Sequence, residues 1–115
     1  MSNDFIKAEV SKIFDGIVKI RRDIHMNPEL GFEETETSQK IKGFLTEHGL
    51  EVQSAAGTGI VGILHNGLGT VAASRADIDA LPITEENEVE YKSRISGKMH
   101  ACGHDLHTAV QLGAV

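Results

Sequence analysis

Gly49-Leu50-Glu51-Val52-Gln53-Ser54, followed by Gly57-Thr58-Gly59-Ile60-Val61-Gly62-Ile63-Leu64, is the stretch in which the hydrophobic period changes. Before it, apolar residues recur at helical steps. Ile6, Val10, Ile13, Ile17, Ile20 and Ile24 fall on one face of a first helix, with Ser2 or Asn3 to cap its start and Pro28 beyond its end. The same spacing suits a short coiled-coil seam, but it lasts fewer than three heptads, which favours a core-facing helix. A second helix is expected from about Glu33 to His48, with Ile41, Phe44, Leu45 and His48 on one face. Its first turn is acidic, Gly49 is a suitable C′ residue, and Leu50 is the apolar contact beyond it.

After Gly49 the chain reads as strands. Residues 51–54 form a short candidate, and residues 60–64 are an apolar run of strand length. Asn66-Gly67 is a hairpin turn signal, lengthened by Leu68-Gly69. Thr70-Val71-Ala72-Ala73-Ser74 follows as a second buried strand, expected to pair with residues 60–64 under the first two helices. Helices before and after such strands give an α/β layer architecture. From Arg75 to His104 no period is visible, and Glu85, Glu86, Glu88 and Glu90 read as a solvated loop. A last helix starts near Asp105 or Leu106, with Asp105 as N-cap, and is still apolar at Leu112, Ala114 and Val115.

Composition narrows the function classes. The 115 residues carry 17 acidic and 11 basic side chains, a net charge of -6, which is the wrong sign for a nucleic-acid binder. No apolar run approaches the ~20 residues of a membrane span, and the first residues lack the basic and apolar regions of a signal peptide. A single cysteine makes no internal disulfide, which suits a reducing compartment; a cytoplasmic location is the expectation.

Three stretches carry chemistry. The richest is Met99-His100-Ala101-Cys102-Gly103-His104-Asp105-Leu106-His107. His100, Cys102, His104 and His107 are good metal ligands, and Asp105 sits among them. Cys102 and His104 can reach one ion if the residue between them bends freely, as Gly103 does. A divalent ion would also make the thiolate. Sulfur disfavours calcium and magnesium and suits zinc, manganese, cobalt or nickel. The competing reading makes Cys102 a small hydrophobe and the histidines surface residues, but half of the six histidines gather round the one cysteine. The second stretch, Arg75-Ala76-Asp77-Ile78-Asp79-Ala80-Leu81-Pro82, leaves the end of a candidate strand, where ligand sites form in open α/β sheets. Asp77 and Asp79 could coordinate an ion or hold a ligating imidazole by its second nitrogen. They could equally belong to a turn in which Arg75 pairs with one aspartate. The third, from His25 to Glu33, joins the two helices, and reads more simply as a packing corner with His25 a partner for the helix dipole. No dinucleotide fingerprint and no nucleophile elbow is present.

In this order the three stretches resemble the N-terminal part of the M20 family of metallopeptidases, in its amidohydrolase branch of hippurate, N-acyl-amino-acid and auxin-conjugate hydrolases. The matching residues run from Arg21 to Glu33, from Arg75 to Ile83 and from Gly97 to Asp105. The resemblance implies the N-terminal portion of a catalytic domain over residues 1–115: two helices, a strand hairpin, a metal-binding loop and the start of a helix. It implies hydrolysis of amides of N-acyl amino acids by an activated water, with two divalent ions, zinc or manganese foremost, in the complete enzyme. Cys102 and His104 match the family's first metal ligands. Asp77 and Asp79 fall where related branches carry a ligand and the acid that orients it, and His107 and Asp105 lie in the same motif as candidate supporting groups. Family members are several times longer. Their general-base glutamate, further ligands and the smaller lid domain through which many dimerise lie beyond the point matching Val115. The expectation is therefore a truncated, catalytically incomplete piece, or alternatively a shortened relic that binds metal weakly through Cys102 and His104. Ser74 departs from the family, which usually places an apolar residue there.

Overall fold

The computed structural model describes residues 1–115. Its first helix, α1, spans Asn3–Met26, as the spacing of isoleucines predicts. Ser2 caps it, its Oγ accepting from the Phe5 N–H at 3.3 Å. The helix stops where Asn27, forced out of helical space by Pro28, returns its N–H to the Ile24 carbonyl. Only its second half is covered. Ile24 is 1% exposed, whereas Phe5, Ile6, Val10, Ile13 and Phe14 stand open on the first four turns.

Helix α2 spans Thr35–Glu47. Its end follows the sequence reading. Gly49 takes a left-handed φ of 80°, its N–H bonds to the Thr46 carbonyl, and Leu50 is buried beyond it. Its start was not legible. The Glu29 carboxylate, five residues ahead of the cap position, accepts from the N–H groups of Glu36 and Thr37 at 3.0 and 2.7 Å and from the Thr37 hydroxyl at 2.6 Å. It does what an N-cap side chain would do.

Strands β1 (Glu51–Ala55) and β2 (Gly59–Ile63) form an antiparallel pair with Glu51 opposite Ile63 and Ala55 opposite Gly59. The turn between them needs positive φ at Ala56 and Gly57, and gets 52° and 83°. Helix α2 lies against this pair. A Cβ on Gly62 would sit 2.9 Å from the Leu45 side chain, so the strand glycine is what lets the helix approach. The Ser38 hydroxyl donates to the Thr58 carbonyl, and the Thr58 hydroxyl donates to Glu34 at 2.6 Å, which ties the turn to the helix. The aliphatic core is Ile41, Leu45, Leu50 and Leu112, edged by Ile20, Phe44, Val52, Ile60 and Ile78.

Helix α3 spans His104–Gly113 and packs on α1, where a Cβ on Gly113 would stand 3.1 Å from Ile17. The α/β character and the order of elements agree with the sequence reading; four particulars do not. The strand expected over residues 60–64 forms over residues 59–63 and pairs with β1 instead of residues 70–74, because the tight turn after Ala55 delivers the nearer partner. Residues 70–74 form no strand; Val71 is 92% exposed, and the Ser74 hydroxyl donates to the Gln111 side chain at 2.6 Å. The polar residue expected in a buried strand is thus on the surface. The hairpin is covered by α2 alone, since α1 faces α3. Finally, Gly103, at φ 90°, occupies the cap position of α3, and Asp105 lies inside the first turn with its carboxylate engaged elsewhere.

Candidate metal centre

The segment after residue 75 is irregular but anchored. Ala80 donates its N–H to the Glu29 carbonyl at 2.8 Å, and Leu81 exchanges backbone hydrogen bonds with Met99 at 2.9 and 3.0 Å. These bridges lay the Asp77–Asp79 stretch beside the start of α3. The Thr108 hydroxyl adds a bond to the Asp77 carbonyl at 3.1 Å.

His104 therefore meets both aspartates. Its Nδ1 lies 2.9 Å from Asp79 Oδ1 and 3.1 Å from the Asp79 carbonyl. Both partners accept only, so Nδ1 carries the proton and donates. That leaves the Nε2 lone pair free, 3.9 Å from Asp77 Oδ2. An imidazole held by a carboxylate through one nitrogen, with the other free beside a second carboxylate, is the donor arrangement of a metal-ligating histidine. The Arg75 guanidinium pairs with Asp77, so part of the turn reading also holds. Cys102 is a free, exposed thiol, as its chemistry as a ligand requires. His107 stacks loosely on His104, ring centroids 6.0 Å apart. The donor chemistry fits a divalent ion. No group of three or more His, Cys, Asp or Glu side chains converges on one point, so the donors present make part of a shell.

His100 does not join them. It is 4% exposed, and neither ring nitrogen has a hydrogen-bond partner. Burial pushes its pKa down, against the pull of Asp105 and Asp79 and with the repulsion of His25 and His104.

A second cluster lies directly behind the first. His25, read from sequence as a corner residue, is 4% exposed and touches two carboxylates: Nδ1 to Asp105 Oδ2 at 2.7 Å and Nε2 to Glu85 Oε1 at 2.6 Å. The Arg21 Nε stands 2.8 Å from the same Asp105 oxygen. Tyr91 meets the edge of the imidazole at 5.6 Å, and the guanidinium groups of Arg21 and Arg22 lie over its ring at 5.1 and 4.6 Å. Glu85 belongs to the stretch expected to be solvated, yet it is 5% exposed. Burial works against its ionisation. Bonds from His25 and the Ser93 N–H, the charge on His25 and a bond from Asn87 outweigh that and hold its carboxyl below the usual range. Nothing in a run of four glutamates within six residues distinguishes the one that is buried; only the three-dimensional approach of α1 does.

Known proteins of one family resemble this chain. Residues 73–115 match the model of peptidase family M20/M25/M40. The chain is 52% identical over 108 residues to IAA-amino acid hydrolase ILR1-like 5 of Arabidopsis thaliana, covering 93% of this chain and 25% of that protein. It is 45% identical over 100 residues to the N-acetylcysteine deacetylase of Bacillus subtilis, covering 84% of this chain and 26% of that protein. The crystal structure of the Bacillus subtilis YXEP protein, described as a dinuclear metal binding peptidase from the M20 family, superposes with a TM-score of 0.80 at 42% identity, covering 92% of this chain and 29% of that one. The chain thus spans between a quarter and a third of the length of these relatives. In sequence and in fold it matches the N-terminal part of the M20 metallopeptidases.

Proposed function

We propose that these residues form part of the catalytic domain of a metal-dependent amidohydrolase acting on N-acyl amino acids or related amides. The observation that supports this most directly is His104, pinned through Nδ1 to Asp79 with Nε2 free beside Asp77. In this reading Cys102 and His104 hold the ion, Asp79 orients the imidazole, and Asp77 is a further donor or a guide for one. Asp105 and His107 support the loop. When bound, the divalent ion supplies Lewis acidity toward the amide carbonyl and a water of lowered pKa. Asp79 keeps His104 in the tautomer that presents a lone pair, and Gly103 lets Cys102 and His104 turn toward one point. Zinc or manganese suits a site that mixes thiolate, imidazole and carboxylate, and cobalt or nickel could replace them. The names of two relatives speak of an amino-acid conjugate and of N-acetylcysteine, which supports a small amide as substrate. The reading includes a cytoplasmic enzyme; no helix is long and apolar enough to cross a membrane.

The full polypeptide carrying these residues should hydrolyse an N-acetyl amino acid, lose that activity to a chelator, and regain it with zinc or manganese. Cys102→Ala and His104→Ala should each lower retained metal after gel filtration at least about tenfold. Hydrolysis that survives complete metal removal would end the proposal. Metal retention without turnover would favour the alternative of a non-catalytic metal binder, which draws on the incomplete donor shell described above.

A further inference from the structure

We propose that His25 is a standing imidazolium, a buried cation that positions the metal-binding turn. The inference rests on the amidohydrolase reading for what it positions, and on hydrogen-bond geometry for its charge. Both ring nitrogens face carboxylate oxygens, at 2.7 and 2.6 Å. A neutral imidazole has one N–H and one lone pair, so against two ionised carboxylates one of these contacts would set lone pair against lone pair at hydrogen-bond distance. Two protons on the ring satisfy both.

Charge leads to the same result. The groups facing His25 are Arg21 on its own helix, Asp105 on α3, and Glu85 and Tyr91 on the loop opposite, with Arg22 over the far side of Tyr91 and His100 near Asp105. Asp105 is fully buried and Glu85 almost so. With His25 charged, two anions meet two cations, Arg21 and His25. With His25 neutral and both carboxylates ionised, the state the lowered Glu85 carboxyl favours, one negative charge stays uncompensated out of water, and such a charge is costly.

The consequence falls on the neighbouring residue. Asp105 directly follows His104 in the first turn of α3. His25 bonds its Oδ2 from α1, with Arg21 as an ion-pair partner of the same oxygen, while Glu85, through its other oxygen, accepts from the Ser93 N–H at 2.6 Å. His25 thus ties its own helix, α1, to the start of α3 and to residues 85–93, by one atom pair each. It is a positioning residue, acting on His104 through Asp105. Asp79 sets the tautomer of His104; His25 sets where the turn that carries it sits.

The test is a ring-nitrogen correlation spectrum of the full polypeptide labelled with ¹⁵N-histidine, together with its zinc affinity by chelator competition. His25 should carry protons on both nitrogens, against one on a neutral imidazole. A singly protonated His25 overturns the proposal. His25→Gln, whose donors sit on one nitrogen and do not reach carboxylates on opposite sides, should weaken zinc binding about tenfold or more and shift the His104 Nδ1 proton signal. A folded variant with unchanged affinity and an unchanged His104 signal overturns the positioning role. If His25→Gln does not fold, Glu85→Gln replaces it: zinc affinity should fall and the His104 Nδ1 proton signal should shift, and no change in either counts against the proposal. A parent protein that binds no zinc removes the amidohydrolase reading itself, which separates that failure from this one.

Discussion

Residues 29–63 and residues 64–103 are of similar length and behave oppositely. The first region is a helix on a hairpin, closed by backbone hydrogen bonds and filled by Ile41, Leu45 and Leu50. The second has no helix and no strand ladder, only isolated bridges at Ala80 and Leu81, yet it supplies Asp77, Asp79 and Glu85. The difference teaches where regular structure is obligatory. A segment that must bury apolar surface by itself adopts periodic structure, whereas one that must bring carboxylates to chosen points is held by a few polar anchors on elements already formed.

Three substitutions would sharpen or break that contrast. Leu45→Ala, in the packed region, should cost the most, about 2–5 kcal/mol by denaturant unfolding, because Leu45 fills the contact between α2 and Gly62. A cost below about 1 kcal/mol would show that the layer is looser than its packing implies. Glu29→Gln should cost less, about 1 kcal/mol, the value of a helix cap, and its effect should depend on pH. Burial opposes ionisation of Glu29, but bonds from the Thr37 side chain and from the Thr37 and Glu36 N–H groups, with the charge of Lys40, hold its carboxyl below the ordinary 4.5. A depressed carboxyl stabilises the fold fully above its unfolded pKa and loses that contribution as pH falls through the folded value. The gap in melting temperature between parent and variant should therefore be widest above pH 4.5 and close at more acidic pH. A pH-independent gap would mean that the carboxylate charge is not what caps α2. The smallest effect belongs to Val71→Ser, within about 0.5 kcal/mol, since Val71 is 92% exposed. A large loss there would mean that residues 70–74 find a strand partner in solution.

The helices were legible because their signals are local. The isoleucine spacing, Ser2, Pro28 and Gly49 each act within one or two turns, and the structure follows them. Residues 60–64 were legible as a strand, but not their partner, because an apolar run states that an edge must be filled and not by what. Asn66-Gly67 suggested a turn back; the turn at Ala56 and Gly57 filled the edge first. At the site, the motif from His100 to Asp105 singled out His104, and the alternation of Asp77 and Asp79 anticipated the carboxylate on its second nitrogen. His25, Arg21 and Glu85 could not be joined from sequence. His25 and Asp105 are 80 residues apart, and His25 and Glu85 are 60 apart. Only the packing of α1 on α3 and against residues 85–93 brings them together.

Within these 115 residues there is one tyrosine and no tryptophan. Tyr91, covered by two guanidinium groups and abutting His25, is thus the single strong ultraviolet fluorophore of this segment, and it sits at the junction where α1, α3 and residues 85–93 meet. Guanidinium groups on its face and a charged imidazole at its edge give it an environment that solvent would not reproduce. Its emission is a built-in optical gauge of that junction, able to follow its opening without a label.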